Sequence, residues 1–175
     1  ELSVDTSGQL AMTMADDALD VAIMLRESVP QGAVAAALKP VQLGWYCTGS
    51  MELPDHPMSL AELAEHAIVT FPKGTPPFRE VESIFSAPDI SPPALHGSAS
   101  LSTVKHLVAG GFGIGVLPTL MVKNSVWDEH IKAIPVQEEA RLTDLHFVIS
   151  YYPERNREIG EAVIEAARLF DQTDR

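Results

Sequence analysis

The sequence predicts an α/β protein with mostly parallel sheets, arranged as two lobes on one chain. Three observations lead there. Short continuous apolar runs, such as 21–25 and 67–71, have strand length and suit strands covered on both faces. They alternate with segments whose apolar residues recur at helical spacing. Two long extended segments, 41–48 and 145–152, divide the chain and leave 49–144 with a βαβαβ pattern of its own. The expected lobes are 1–47 plus 153–175, and 48–152.

The elements follow in order. Residues 2–5 read as a short strand, and Ser7 as the cap of a helix over 8–18 with Leu10 and Met14 on one face. Asp16 and Asp17 near its end oppose the helix dipole, so packing has to hold it. Strands follow at 21–25, 33–38 and 41–48, separated by Pro30, Gly32 and Pro40. Ser59-Leu60-Ala61-Glu62 is a capping box opening a helix to about His66. After the strand 67–71, Thr75 caps a helix whose first residue is Pro76, where a missing N–H does no harm. Phe78, Val81, Ile84 and Phe85 share a face of that helix. A weak strand at 94–97 precedes the Ser100-capped helix 101–110, striped by Leu101, Val104, Leu107 and Val108. Strands at 112–117, 131–136 and 145–152 and a helix over 155–170 complete the chain. Pro118 ends the first of these strands, and Ile159, Val163, Ala166, Ala167 and Phe170 stripe the last helix.

Composition narrows the function. The chain has 175 residues, 46% hydrophobic and 21% charged, so a packed core is feasible. Its net charge of −12 repels phosphate backbones, which argues against nucleic-acid binding by this polypeptide alone. One cysteine, Cys47, excludes an internal disulfide or a multi-cysteine zinc site. Beside Trp45 and Tyr46 it is expected to be a buried, inert thiol. No apolar run approaches the roughly 18 residues of a membrane span, and no basic-then-apolar leader opens the sequence, so a cytoplasmic protein with no membrane partner is expected.

The stretch from Leu95 to Pro118 resembles one family. In it a helix capped by Ser100 leads into Leu107-Val108-Ala109-Gly110-Gly111-Phe112-Gly113-Ile114-Gly115-Val116-Leu117-Pro118, where the helix ends and a strand follows. The pattern is similar to the effector-binding domain of LysR-type transcriptional regulators. Leu19-Asp20-Val21-Ala22-Ile23, the loop and helix start over 53–64, the strands 67–71 and 145–152, and the closing helix match in the same order. The resemblance covers nearly the whole chain. It implies a two-lobed, periplasmic-binding-protein-like (type II) fold with two crossover strands and a ligand held between the lobes. Physically, Gly110 and Gly111 can end the helix through a left-handed cap, and Gly113 and Gly115 let neighbours approach the next strand closely.

Two departures from the family stand out. Its basic winged helix-turn-helix and linker helix are not in this sequence, so DNA is expected only through a head that this chain does not carry. The family's opening βα unit, ahead of residues 2–7, is also missing, which implies a fragment whose first lobe exposes apolar surface. The resemblance further implies a homodimer of the complete domain, using the helix at 101–109 and the strand at 2–5.

The expected role is non-enzymatic: binding a small anionic metabolite and transmitting its presence to DNA binding through rearrangement of the oligomer. Helix N-termini at the carboxyl ends of parallel strands offer N–H groups and partial positive charge to such a ligand. Thr70, Thr75, Ser98 and Ser100 are the leading contacts; Lys73 adds a charge, and Phe71 or Phe78 an apolar wall. Four of them have a plainer reading. Thr75 and Ser100 serve as caps worth about 1 kcal/mol each; Thr70 is a strand threonine, and Lys73 a solvated loop lysine. A solute-binding protein of a transport system is the alternative, since it shares the architecture.

Other chemistry is disfavoured. The glycines at 111–115 follow a helix and enter a strand, the reverse of a dinucleotide fingerprint, so no cofactor is expected. The six histidines show no metal-ligand spacing. Ser98 and Ser100 lack a nucleophile elbow and an evident base. Asp16, Asp17 and Asp20 read as a helix end and a turn, and Trp127 as loop packing.

Overall fold

A computed structural model describes residues 1–86, 90–123 and 130–173 of the chain. The expectation for Trp127 therefore lies outside the described residues. The strands are β1 (Val21–Leu25), β2 (Val34–Ala37), β3 (Leu43–Thr48), β4 (Ile68–Thr70), β5 (Leu95–Gly97), β6 (Ile114–Pro118), β7 (Ile131–Ala133) and β8 (Phe147–Tyr151). The helices are α1 (Ser7–Ala15), α2 (Leu60–Leu63), α3 (Pro76–Ile84), α4 (Leu101–Ala109), α5 (Thr119–Lys123) and α6 (Pro153–Thr173). They fall into two units, Glu1–Pro40 with Leu145 onward, and Val41–Asp144, so the chain passes from one to the other twice. No helix among the described residues is long and apolar enough to cross a membrane.

The first unit holds a three-stranded sheet in the order β1-β8-β2, and both pairings are antiparallel. This corrects the mostly parallel expectation. Apolar runs announce strands but carry no direction, and β8 inserts between two strands that run opposite to it. The helix cap also differs from expectation. Thr6 accepts the Gln9 N–H at 3.4 Å, while the Ser7 hydroxyl accepts the N–H of Leu25 at 3.0 Å and ties α1 to the end of β1. The helix stops at Ala15, not 18, because Asp17 takes a left-handed φ of 60°. Met14 packs against Ala22, Met24 and Val148, with Leu10 and Ala11 beside it.

Residues 2–5 form no strand; Leu2 and Val4 are exposed, and none of the described strands takes up their backbone groups. Ile23, in the middle of β1, is 54% exposed, so that apolar run is not covered on both faces as expected. On α6 the expected stripe is only half right. Ile159 and Phe170 are exposed, while the buried contact is Gly160, where a Cβ would lie 2.4 Å from the Tyr151 ring. Near its start the helix is interrupted at Asn156 (φ −129°, ψ 31°).

The second unit holds a five-stranded sheet, β5-β4-β6-β3-β7. The pairings among β5, β4 and β6 are parallel; those of β3 with β6 and β7 are antiparallel. Tyr46, Val69, Leu117 and Ile131 form a buried cluster with Val104 and Val108 of α4. Strand alternation puts Trp45 on the other face, where its ring meets Phe85 edge-on. Pro76 begins α3 and Ser100 caps α4 by accepting the Thr103 N–H at 3.2 Å. Gly110 is the C-cap of α4, and Gly111 follows at φ 75°. That turn delays the strand to Ile114, two residues later than expected. The short helix α5 directly after Pro118 was not anticipated, since five residues show no period. β7 is shorter than expected, ending two residues before Pro135, which has no N–H for a ladder.

Cys47 is fully buried, and burial pushes its thiol pKa up against the opposing pull of Lys132. The capping box of α2 is complete: the Glu62 carboxylate accepts the Ser59 N–H at 2.8 Å, and the Glu62 N–H donates to Ser59 Oγ at 3.3 Å. The Ser59 N–H first, and its hydroxyl second, hold the Glu62 carboxyl below the usual carboxylate range. A lowered folded-state pKa gives stability that is present above the unfolded value and lost as pH falls through the folded one. Urea midpoints of wild type and Glu62→Ala should therefore differ at pH 7 and converge as the pH drops below about 4. Space around the glycines gives a second test. A Cβ at Gly113 would lie 2.2 Å from the Ala67 carbonyl oxygen, a backbone atom, whereas Gly8 in α1 has open space. Gly113→Ala should lower unfolding free energy by about 1–3 kcal/mol, and Gly8→Ala should raise it by about 0.5 kcal/mol, both read from urea denaturation.

Candidate functional site

Strands β4 and β5 run parallel and end together. Thr70 pairs with Gly97, and the Thr70 carbonyl accepts the Ser98 N–H at 3.0 Å. Each strand then leads through a short loop to a nine-residue helix, α3 or α4, whose first N–H groups lack intrahelical partners. Two helix N-termini thus follow from the carboxyl ends of adjacent parallel strands, an arrangement that favours anions.

Thr70 is fully buried, and its Oγ1 has no hydrogen-bond partner among the described residues. A buried hydroxyl left in this state costs about 1–3 kcal/mol. Val69 packs in the cluster with α4, so alternation puts the Thr70 side chain on the opposite face, with Ile68. Ser150 in β8 of the first unit shares the lack of a partner, but it stands within a strand, opposite Ala22 and Ala35. Only Thr70 stands at a strand end where loops open.

The other expected contacts are placed as follows. Ser98 Oγ donates to the Ser100 carbonyl at 3.1 Å and accepts the Ser100 N–H at 3.2 Å, which folds the loop onto itself. Ser100 spends its hydroxyl on the α4 cap. Thr75 is the residue before α3, yet its Oγ1 donates to the Pro72 carbonyl at 2.7 Å instead of capping the helix. Lys73 is exposed. Phe71 and Phe78 are buried. The structure therefore brings Thr70 and Ser98 directly together, with Thr75 and Lys73 in the loop beyond Thr70.

Two residues were missed by sequence reasoning. Arg79 Nη1 donates to the Gly74 carbonyl at 2.7 Å and brings a permanent positive charge onto that loop. Its only signal was a position one turn into the helix. Gly97 has a tighter role: a Cβ there would sit 2.8 Å from the Lys73 amide nitrogen and 3.0 Å from the Phe71 carbonyl oxygen. The two loops thus pack backbone on backbone, and a glycine at a strand end was the available sign.

The arrangement can donate N–H groups, one hydroxyl and cationic side chains to a small ligand. Among the described residues, no group of His, Cys, Asp or Glu could hold a metal ion. The hydroxyls of Ser98 and Ser100 are engaged by backbone groups.

Comparison with known proteins agrees with this architecture. The CcmR regulatory domain of Synechocystis PCC6803, solved in complex with 2-PG, superposes with a TM-score of 0.78 at 15% identity, over 95% of this chain and 80% of that one. The C-terminal domain of a probable LysR family transcriptional regulator from Rhodococcus sp. RHA1 gives 0.72 at 20% identity, over 94% and 81%. The effector binding domain of QuiR in complex with shikimate gives 0.67 at 13% identity, over 93% and 79%. These likenesses show the fold, a mixed α/β chain with two sheets of the periplasmic-binding-protein type II kind. No curated protein matches the chain in sequence. The family described as LysR substrate binding domain matches residues 1–168, and the chain belongs to that family.

Proposed function

We propose that the chain senses a small anionic metabolite for a cytoplasmic LysR-type transcriptional regulator, binding it without chemical turnover. The ligand sits at the carboxyl ends of β4 and β5, against Thr70 and the loops 71–75 and 98–100. The observation that carries this reading is the buried, unpartnered Thr70 hydroxyl beside two helix N-termini. A ligand oxygen accepting that O–H removes its desolvation cost. N–H groups and the Lys73 and Arg79 charges balance an anion on a chain that is otherwise strongly acidic. Relatives solved with 2-PG and with shikimate support a small-molecule ligand. Family membership supports a regulator over a transport protein.

A ligand shifts such a regulator only by preferring one of its states. In the intact protein, occupancy changes how two copies pair, and that respaces DNA-binding heads. The copies pair through α4, whose Ser102, Thr103 and His106 are exposed. Light scattering on the intact regulator should give a dimer or larger assembly; monomers alone at high concentration would refute the pairing.

Calorimetry with shikimate, benzoate and other small carboxylates and phosphoesters tests the site. Thr70→Val should weaken every ligand that binds by about tenfold or more while leaving the protein as stable or more so, because an unsatisfied hydroxyl is gone. Ser100→Ala should cost about 1 kcal/mol of stability through the α4 cap. Ligands that bind Thr70→Val with unchanged affinity would rule out this location.

A further inference from the structure

Helix α3 starts at the candidate site and ends against the part of the second unit that leads out of it. Its first residue, Pro76, follows the loop over 71–75. In its middle, Glu80 Oε1 accepts the N–H of Thr143 at 2.7 Å. Thr143 lies two residues before Leu145, where the chain enters the other unit. At its far end, Phe85 meets the Trp45 ring edge-on, with centroids 6.0 Å apart. Trp45 Nε1 in turn donates to the Ala140 carbonyl at 2.8 Å. Phe85, Trp45 and Ala140 are all buried. One helix therefore grips the stretch 140–143 at two points, by a carboxylate near one end and through an indole at the other. Trp45 also belongs to β3, soon after the first passage at 40–41.

The two grips differ in kind. The Trp45 contact is buried and packed on several sides. The Glu80 contact is a single charge-assisted bond to an exposed residue outside any strand. A nine-residue helix, about 13 Å long, moves as one body, so a shift of its first turn is felt at Glu80, one turn further on.

We propose that α3 carries changes in the loop 71–75 to the chain passage at 144–145, with Glu80 as the positioning residue that holds Thr143. The proposal rests on the functional reading only for what occupies that loop. Amide hydrogen exchange of the full chain, followed by NMR, tests it without a ligand. Glu80→Ala should speed exchange at Thr143 tenfold or more and leave the β8 amides unchanged. Glu80→Gln, which keeps an oxygen acceptor, should stay within about threefold of wild type. Thr75→Ala, which removes the bond to Pro72, should change Thr143 exchange severalfold in the wild-type background and not in Glu80→Ala. An unchanged Thr143 rate in Glu80→Ala, or a Thr75→Ala effect that is absent or survives in Glu80→Ala, overturns the proposal. If the exchange pattern is as expected but no small carboxylate or inorganic phosphate alters it, the functional reading falls and this coupling stands.

Discussion

A carbonyl oxygen occupies the space where residue 113 would carry a side chain. Ala67 places it there and uses it to accept the Ile114 N–H at 2.9 Å. That contact locks the start of β6 beside the start of β4, and the register of the parallel pair follows from it. Two residues on, the same strand needs Gly115, because a Cβ would meet a Val108 methyl group at 2.4 Å and push α4 off the sheet. β4 is held from its other edge by β5, and Gly97 lets the loop after β4 lie against that strand's end. Three missing side chains thus set the depth and spacing of the two loops at the candidate site. Close packing of this sort tolerates no added methyl without displacement.

The polar chemistry is layered on that frame in an unequal way. Ser98, Ser100 and Thr75 satisfy backbone groups near them, so their hydroxyls build the loops. The Thr70 hydroxyl bonds to nothing among the described residues, and a fully buried hydroxyl without a partner is the exception in folded proteins. Four hydroxyl residues that look alike on paper thus differ in whether the hydroxyl is spent on the backbone or left without a partner among the described residues.

Much of this was legible in the sequence because it is local. Ser100, Pro76 and the Ser59–Glu62 box mark helix starts through contacts within one turn. Gly113 and Gly115 announce close approach by what they lack. Long-range facts were hidden. Nothing near Ser7 says that its hydroxyl serves Leu25, so the cap was placed one residue late. Strand direction in the first unit depends on β8, more than a hundred residues from its partners. Glu80 reads as a solvated helix acid until Thr143 is brought beside it. At the candidate site, residue types and their order in the chain were readable, but whether a hydroxyl is spent or spare is decided by neighbours in space.

The place of β8 has a consequence for how the protein is made. It is the central strand of the first sheet, yet it leaves the ribosome after all of the second unit. β1 and β2 are synthesised early and must wait, unpaired, with Met24 and Ala22 lacking Val148. The second unit, all of whose strands precede β8 in the chain, can close during that interval. Vectorial synthesis thus favours one order of assembly, and the early apolar strands are the segment most in need of shelter from aggregation while the chain is unfinished.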